Sequence, residues 1–312
     1  MFKVPRVALA LIVGSIAVPL AGSATAAHAA AHAAAPARPS CVVSLSPTAT
    51  ETLYAIGAGP QVQAVDSDSN YPTRGLPTKR INALNPSVES IIGICRSTPG
   101  SPATKPDLVI ISYDANSIME KLTRLGVKVV AQDAPTSLAG ALAQIRQLGS
   151  LTGHRSAADA LATSLQRTIS ADVASVHNPT HKKVSVYYEL DPTFYSLTSS
   201  TFVGALMKSL GVVNIADPHA TSADAGYPQL SAEYVVSADP KLIFLADTVC
   251  CHVTPAKVAS RAGFARVNAV VNGHVVNLND DVASRWGPRL GLLMNQLTTA
   301  VKRVLADPRV WK

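Results

Sequence analysis

The chain has 312 residues, of which 47% are hydrophobic and 15% are charged. This length is too great for one small core and suits two lobes, and the composition is that of a folded globular protein rather than a disordered one. The formal net charge is +7. Lysine and arginine are scattered, without a basic run that alternates with aromatic residues, so a nucleic-acid-binding role is disfavoured.

The N-terminus has the pattern of a secretory signal peptide, which we assign to residues 1–26. A cationic start (MFKVPR) precedes an apolar run (VALALIVGSIAVPLAG) and an alanine-rich stretch, which is the order found in export signals. A retained membrane anchor is the alternative, but the run is short for a span, and no later segment is longer. We therefore expect an exported protein, periplasmic or at the cell surface, with its signal removed and a flexible Ala/Pro-rich segment at 27–40.

Residues 41–136 alternate between strand patterns and helix patterns. Apolar, β-branched runs predict strands at 41–46, 62–68, 107–112 and 127–133. Helical spacing between these runs predicts helices at 50–59, 87–95 and 116–126. Because strands and helices alternate, we expect a layered α/β lobe with mostly parallel strands.

The next segment, 137–178, has helical periodicity without a strand candidate, and we assign it as a backbone helix that links two lobes. Gly149 and Gly153 lie inside it, so a bend or two joined helices remain open. Strand and helix patterns alternate again over 179–312, where the last long helix is predicted from about Pro288. The sequence therefore predicts a second α/β lobe.

The two predicted lobes contain related segments. NPSVESII, which starts at Asn85, and YPQLSAEYVV, which starts at Tyr227, each place a glutamate in a short apolar helix. A proline and a buried strand follow in both cases. The glutamates are Glu89 and Glu233, and their matching positions indicate an internal repeat.

Four cysteines in an exported chain favour two disulfides, for which three pairings exist. Cys41 opens the first predicted strand and Cys95 ends a helix that leads into another, so these two could meet at one edge of the layer. Cys250 and Cys251 are adjacent, and a bond between them would be strained, but oxidation would stiffen the loop near the cleft mouth. Metal binding by this pair with His252 is the weaker alternative, because adjacent thiolates do not easily occupy two tetrahedral corners.

The order and spacing of several motifs resemble a known family, the extracytoplasmic binding proteins of ABC importers of the helical-backbone type. The motifs are VVSLSPTATETLYAIGAG, NYP, NPSVESII, KPDLVIIS, LGVKVV, YPQLSAEYVVSADPKLIFL and RWGPRLGLLMNQL. These family members carry cobalamin, ferric siderophores or haem, and the pattern is closest to the cobalamin-binding members. The resemblance implies an α/β fold with two Rossmann-like lobes, one long backbone helix between them and a ligand cleft at their interface.

The resemblance also implies a partner, the permease dimer in the membrane. In this family a glutamate on each lobe is thought to meet arginines of the permease, and Glu89 and Glu233 occupy the matching positions. Ion pairs at the rim of an interface govern register and association rate more than affinity. The alternative is that both are solvated carboxylates near helix N-termini, where the helix dipole favours them. We expect a monomer that binds no nucleic acid.

The ligand is expected between the lobes, on loops that follow strand ends. The candidate ligand-binding residues are Asp68, Tyr71, Tyr113, Tyr195, Tyr227, Asp281, Arg285 and Trp286. By resemblance to the cobalamin-binding members, Tyr195 and Tyr227 flank the corrin, whereas Asp281 and Arg285 meet its amide arms. A flat macrocycle needs aromatic faces for contact area and a few directed polar groups for orientation.

Other ligands leave different marks in the sequence. Asp68 and Ala83 occupy positions where the cobalamin-binding members have aromatic residues. Ferric siderophores and haem therefore remain open as alternative ligands. An anionic ferric siderophore would require arginines, for which Arg285 and Arg289 are the candidates. Haem would require an axial tyrosine or histidine. The candidates for that role are Tyr71, Tyr113, Tyr227 and His252.

An enzyme is the remote alternative. The sequence contains no GxSxG elbow, no HExxH pair and no phosphate-binding glycine loop. Asp280 and Asp281 are adjacent, so in a strand they would point to opposite faces. A metal-dependent enzyme on the same fold, or a surface receptor that holds haem or a ferric siderophore, remain as alternatives. We expect no resident cofactor or metal site, the metal chelate being the ligand.

Overall fold

The computed structural model describes residues 38–95 and 104–312. The predicted signal peptide at 1–26, most of the Ala/Pro-rich segment and most of the predicted loop after Ile94 lie outside these ranges. Within the described residues the chain forms two α/β lobes with one linking segment, as the sequence predicts.

The first lobe is a parallel five-stranded sheet with helices on its faces. Its elements are β1 (Val42–Leu45), α1 (Pro47–Ala55), β2 (Val62–Asp66), β3 (Arg80–Ile81), α2 (Val88–Ile92), β4 (Leu108–Ile111), α3 (Ile118–Arg124) and β5 (Lys128–Ala131). The strand order is β3-β2-β1-β4-β5. The central strands β1 and β4 are buried along their whole length, which explains their continuous apolar sequence, since both faces of a parallel sheet are covered.

Local sequence determines where α1 begins and ends. The Ser46 hydroxyl accepts a hydrogen bond from the Ala49 N–H at 3.2 Å, and Pro47 occupies the first turn, where its missing N–H costs nothing. Gly57 follows the helix with φ of +87°, a conformation that glycine adopts without steric cost. The cap places Ser46 at the carboxyl end of β1.

The linking segment consists of two helices, α4 (Leu138–Thr152) and α5 (Arg155–Ala174). The prediction of one long helix is corrected here: Gly153 adopts φ of +76° and ends α4. The two helices run antiparallel, since Leu138 at the start of α4 lines one cavity with Ile169 and Val173 near the end of α5. They pack closely at Gly149, where a Cβ would collide with Ala158. With 20 residues, α5 is roughly 30 Å long and is the connection between the lobes.

The second lobe repeats this plan with a parallel four-stranded sheet in the order β7-β6-β8-β9. Its elements are β6 (Ser185–Glu189), α6 (Phe202–Ser209), β7 (Val213–Asn214), α7 (Ala232–Ala238), β8 (Leu242–Leu245), α8 (Pro255–Ala259), α9 (Asn268–Val271), β9 (Val275–Asn277), α10 (Asp280–Ala283) and α11 (Leu290–Ala306). One hydrophobic core runs through both lobes and includes buried residues of α4, α5 and α11.

The internal repeat is visible in α2 and α7, each of which leads into the sheet strand that pairs with the first strand of its lobe. Both helices start from a capping serine, Ser87 and Ser231, whose side chain accepts an N–H of the first turn. Glu89 and Glu233 lie at the same position in these first turns. The lobes therefore present one carboxylate each from equivalent helices.

Both predicted cysteine pairs are present. Cys41 and Cys95 are bonded with a Cα–Cα separation of 6.0 Å, and Cys250 and Cys251 are bonded with a separation of 3.8 Å. The first disulfide lies at the amino-terminal ends of the strands of the first sheet. The second lies in the loop after β8. In the part of the chain that the structure describes, no helix has both the length and the apolar character required to cross a bilayer.

Candidate functional site

Two neighbouring cavities lie at the carboxyl ends of the strands, each about 310 Å³ in volume. Ser284 and Trp286 line both of them. The carboxyl ends of parallel strands, at the point where strand order reverses, are the usual ligand sites of open α/β sheets. We call them the polar cavity, which contains Asp68 and Asp281, and the apolar cavity, which contains Tyr188 and Tyr227.

Loops of the first lobe supply one wall of the polar cavity. Ser46 and Pro47 follow β1, Asp68 follows β2, and Ser112 follows β4. The neighbouring Asp66 is buried, and this burial raises the pKa of its carboxyl group. Its side chain accepts the backbone N–H of Asp68 at 2.9 Å, which fixes the turn that carries Asp68.

The apolar cavity lies mainly in the second lobe. Tyr188, Leu197, Phe202 and Tyr227 line it, with Cys250 at its edge. Burial raises the pKa of both tyrosine hydroxyls, so both are neutral at physiological pH. A concave surface of this aromatic and aliphatic composition suits the face of a flat ligand.

Trp286 separates the two cavities, and a residue of the linking segment holds its side chain in place. Its indole N–H donates to the side-chain oxygen of Gln144 in α4 at 2.7 Å. Trp286 is partly buried against the core that joins the lobes. Its orientation is therefore fixed by a contact outside both sheets.

Arg285 lines the polar cavity, but its donors are already engaged. One terminal nitrogen donates to Glu51 and to Asn70, both at 2.8 Å. The other donates to the Asp68 carbonyl at 3.0 Å and to Asp281 at 2.5 Å. Three of these acceptors belong to the first lobe, so Arg285 connects the lobes across the floor of the cleft.

Glu51 is the centre of this network. Its side chain is fully buried and accepts two hydrogen bonds from Arg289, at 2.8 and 2.6 Å, in addition to the bond from Arg285. The bonds to Glu51 raise the pKa of Arg289, and the ring of Tyr71 lies 4.5 Å from its guanidinium carbon. The charges of the two arginines are therefore matched by the carboxylates Glu51 and Asp281, whereas the carboxylate of Asp68 forms no salt bridge within the described residues.

The structure brings together five of the eight predicted ligand residues. The residues that line a cavity are Asp68, Tyr227, Asp281, Arg285 and Trp286. Tyr71, Tyr113 and Tyr195 line neither cavity and are 41%, 68% and 41% exposed. Tyr71 instead stacks on Arg289, and the backbone of Tyr195 pairs with that of Gln229.

A second buried ionic cluster supports the second lobe behind the cleft. Arg261 forms a two-pronged pair with Glu189 at 2.6 and 2.6 Å, and its guanidinium carbon lies beside the stacked rings of Phe194 and Phe264, 5.4 and 5.6 Å from their centroids. Asp247 is fully buried beside this pair, and neither of its carboxylate oxygens has a hydrogen-bond partner among the described residues. Burial and the neighbouring Glu189 raise its pKa to about 7.

The other predicted positions are surface features or remain apart from the cleft. Glu89 and Glu233 are exposed, and neither forms a salt bridge with any residue that the structure describes. Over residues 38–95 and 104–312, no group of three or more His, Cys, Asp or Glu side chains could hold a metal ion. His252 is exposed at the surface of its loop.

Sequence reasoning missed Glu51, Gln144 and Tyr188. Glu51 lies in a helix whose sequence does not distinguish it from a solvated carboxylate, and its arginine partners are 234 and 238 residues away. Tyr188 alternates with Tyr187 in β6, and only the orientation of the sheet decides which of the two faces the cleft. No local pattern in the sequence marks any of these three residues.

Comparison with known proteins agrees with this architecture. A vitamin B12-binding protein of Pectobacterium carotovorum is 29% identical over 266 residues, which cover 84% of this chain and 88% of that protein. An uncharacterized ABC transporter substrate-binding lipoprotein of Bacillus subtilis is 26% identical over 260 residues, with coverages of 81% and 76%.

Solved structures share the fold. The periplasmic vitamin B12 binding protein of Vibrio cholerae matches with a TM-score of 0.70 at 23% identity, covering 86% of this chain and 99% of that one. A periplasmic heme-binding protein of Roseiflexus, in its apo form, matches with a TM-score of 0.70 at 23% identity, covering 85% and 98%. The family model described as periplasmic binding protein matches residues 42–282. With a match over most of its length and the two-lobed fold, this chain belongs to the periplasmic binding protein family.

Proposed function

We propose that this protein is the extracytoplasmic binding component of an ABC importer and captures an uncharged or cationic metal chelate, a corrinoid in the first place. The Pectobacterium relative is named for vitamin B12, and the Bacillus relative is named a substrate-binding lipoprotein of an ABC transporter. The protein works outside the cytoplasm, as a monomer, after loss of its signal peptide. Its activity is binding rather than chemical conversion.

The main support for this proposal is the charge of the side chains that line the cleft. Arg285 is the only cationic side chain among the described residues that line the two cavities, and its donors are engaged by Glu51, Asn70, Asp68 and Asp281. The remaining charge is negative. Like charges across an interface cost binding energy, so an anionic siderophore, or haem with its carboxylates, is a poorer match than a corrinoid.

The arrangement of the two cavities also suits a corrinoid. A macrocycle is larger than either cavity and must span both across Trp286. Its flat face would contact Tyr188 and Tyr227 in the apolar cavity, while amide arms donate to Asp68 and Asp281 in the polar cavity. Aromatic area supplies affinity and the carboxylates fix orientation.

Fluorescence of the cleft tryptophan provides the test. The chain has two tryptophans, Trp286 in the cleft and Trp311 near the C-terminus, and Trp311→Phe leaves only the first. We expect cyanocobalamin to quench this variant in a saturable, one-to-one manner. Haem, an anionic catecholate iron chelate and a cationic hydroxamate iron chelate are titrated in parallel.

Trp286→Phe is the matched control, because it retains Trp311 and reports light absorption by the ligand itself. Saturation with the hydroxamate chelate alone would assign iron rather than corrinoid as the cargo. Tight binding of haem or the catecholate chelate would contradict the charge argument, and no saturation with any ligand would remove the cleft assignment.

We also propose that Glu89 and Glu233 contact the permease. Both are exposed, lie at the same position in equivalent helices of the two lobes and carry no competing ion pair within the described residues. Two related lobes match a permease built from two similar halves. The carboxylates would meet cationic side chains at the rim, where they guide docking.

A further inference from the structure

The loop after β8 carries a bonded pair of adjacent cysteines that faces the cleft. Cys250 is exposed and lines the apolar cavity together with Tyr227 and Trp286. Cys251 is partly buried and packs against a second hydrophobic cluster of the second lobe, which includes Val258 and Phe264. Cys250 is thus on the ligand side of the wall, and Cys251 is on the side of the core.

The loop is held in place on both sides of the pair. The carboxylate of Asp280 accepts the backbone N–H of Val249 at 3.0 Å and of Cys250 at 2.7 Å. The Thr248 hydroxyl donates to the Leu278 carbonyl at 2.6 Å, and the Cys251 N–H donates to the Asp247 carbonyl at 3.2 Å. With its backbone fixed in this way, the position of the Cys250 sulfur depends on the bond to Cys251.

We propose that the Cys250–Cys251 disulfide is part of the ligand-contacting wall of the apolar cavity and that its reduction by a dithiol weakens ligand binding. This inference rests on the proposed function of the cleft. A bonded pair offers a fixed, polarisable, apolar sulfur surface to the face of a macrocycle. Two free thiols offer mobile side chains whose ordering opposes binding.

The redox step is an ordinary thiol–disulfide exchange. A thiolate of the dithiol attacks the exposed sulfur of Cys250, the S–S bond breaks, and Cys251 leaves as a thiolate that takes up a proton. The second thiol of the reductant then displaces Cys250 as a thiol. Two electrons pass to the protein, and the reductant becomes a disulfide.

The second disulfide of the chain provides an internal comparison. Cys41 and Cys95 are only 7% and 3% exposed, and they lie at the amino-terminal edge of the first sheet, opposite the cleft. Access of the attacking thiol controls the rate of exchange. A mild dithiol should therefore reduce the Cys250–Cys251 pair and leave the Cys41–Cys95 pair intact.

The test measures cyanocobalamin affinity in the Trp311→Phe background by quenching of Trp286. The oxidised protein is compared with protein reduced by a dithiol and desalted without oxygen, and with a variant that combines Cys250→Ser and Cys251→Ser. Alkylation and mass measurement establish which cysteines are free. We expect affinity about tenfold weaker in both altered forms, with only a small change in melting temperature, because a bond between adjacent residues closes no long loop.

The matched control combines Cys41→Ser and Cys95→Ser, which should lower the melting temperature and leave affinity unchanged. Equal affinity of the oxidised, reduced and Cys250/Cys251 serine forms would overturn this inference while leaving the proposed function intact. Free thiols at Cys250 and Cys251 in the untreated protein would overturn it as well. Failure of the oxidised protein to bind any chelate would instead remove the proposed function, and this inference with it.

A measurement of Trp286 emission without ligand tests the position of the disulfide independently of the proposed function. Disulfides quench nearby tryptophan emission, and Cys250 lines the same cavity as Trp286. In the Trp311→Phe background, reduction of the pair should brighten the emission of Trp286. Unchanged emission on complete reduction would place the sulfur away from the cavity and contradict the proposed wall.

Discussion

The carboxylate of Glu51 in the first lobe accepts hydrogen bonds from Arg285 of the second lobe at 2.8 Å and from Arg289 at 2.8 and 2.6 Å. Buried charges are tolerated only when they are paired, because removing them from water is costly. The pairing therefore ties the lobes together at the floor of the cleft. It also uses the cations that a negatively charged ligand would need.

Replacement of Glu51 should destabilise the whole protein. Glu51→Gln leaves the guanidinium groups of Arg285 and Arg289 without their shared counter-charge in a buried place, so we expect the free energy of unfolding to fall by about 3–5 kcal/mol. Urea denaturation followed by circular dichroism measures this change. A loss below about 1 kcal/mol would contradict the buried-network description.

The control for this variant is a glutamate–arginine pair at the surface. Glu120 and Arg124 form such a pair, with side chains 61% and 76% exposed. Because exposed pairs contribute little, Glu120→Gln should change the free energy of unfolding by less than about 0.5 kcal/mol. The contrast isolates the effect of burial from the effect of removing a carboxylate.

Asp247 should make stability fall as pH rises. Its pKa is raised to about 7 by burial and by Glu189, whereas an aspartate in the unfolded chain titrates near about 3.9. The folded protein therefore binds more protons between these values, and its free energy of unfolding decreases through that window. Asp247→Asn removes the titration, so the free energy of unfolding of the variant relative to that of wild type should rise by about 4 kcal/mol from pH 4 to pH 8.

Urea midpoints measured from pH 4 to pH 8 check this prediction. The groups that face Asp247, namely Glu189, Arg261, Tyr187 and Tyr188, are all retained in the variant. Because Asp247 interacts directly with Glu189, the difference between the variant and wild type reports this carboxyl pair rather than Asp247 alone. Asp159→Asn, at an exposed site, serves as the control and should give a difference that does not vary with pH. A flat difference for Asp247→Asn would show that Asp247 does not titrate in this window.

Charge reversal at both proposed docking residues should abolish transport but not binding. With Glu89→Arg and Glu233→Arg, the exposed carboxylates become cations that repel the basic rim expected on the permease. We expect uptake of labelled ligand by the cognate importer to stop and affinity to stay unchanged. A loss of affinity would instead place these residues in the ligand site.

A variant with the same change in charge at other exposed positions is the control for docking. Glu120→Arg combined with Asp159→Arg alters surface carboxylates outside α2 and α7 and should leave uptake unchanged. Normal uptake by the Glu89/Glu233 double variant would favour a receptor that does not dock through these residues.

Adding one methyl group at the close contact between α4 and α5 should destabilise the protein. A Cβ at Gly149 would collide with Ala158, so Gly149→Ala should lower the free energy of unfolding by about 1–3 kcal/mol, despite the higher helix propensity of alanine. Gly291→Ala in α11 is the matched control, since its Cβ would lie 3.6 Å from the nearest side chain. We expect this control to gain about 0.5–1 kcal/mol, and equal effects at both sites would contradict the packing described.

Local sequence was sufficient for the longer strands and the main helices of both lobes and for their repetition, but it did not predict the two-residue edge strands β3 and β7. The buried strands β1 and β4 have continuous apolar runs, and α1, α2 and α7 begin at serine caps that can be recognised in the sequence. These signals depend on neighbours a few residues apart. The break in the linking segment was left open, because Gly153 as a helix end and a glycine inside a bent helix look alike in sequence.

The sequence by itself determined the α/β class, the repeat that carries Glu89 and Glu233 and the set of residues that follow strand ends. Only the tertiary structure decided which of those residues face the cleft and which charges are neutralised. Arg285 was predicted to meet the ligand, yet it is engaged by Glu51, a residue 234 positions away. Pairing between such distant residues depends on how the two lobes pack, and no local pattern encodes it.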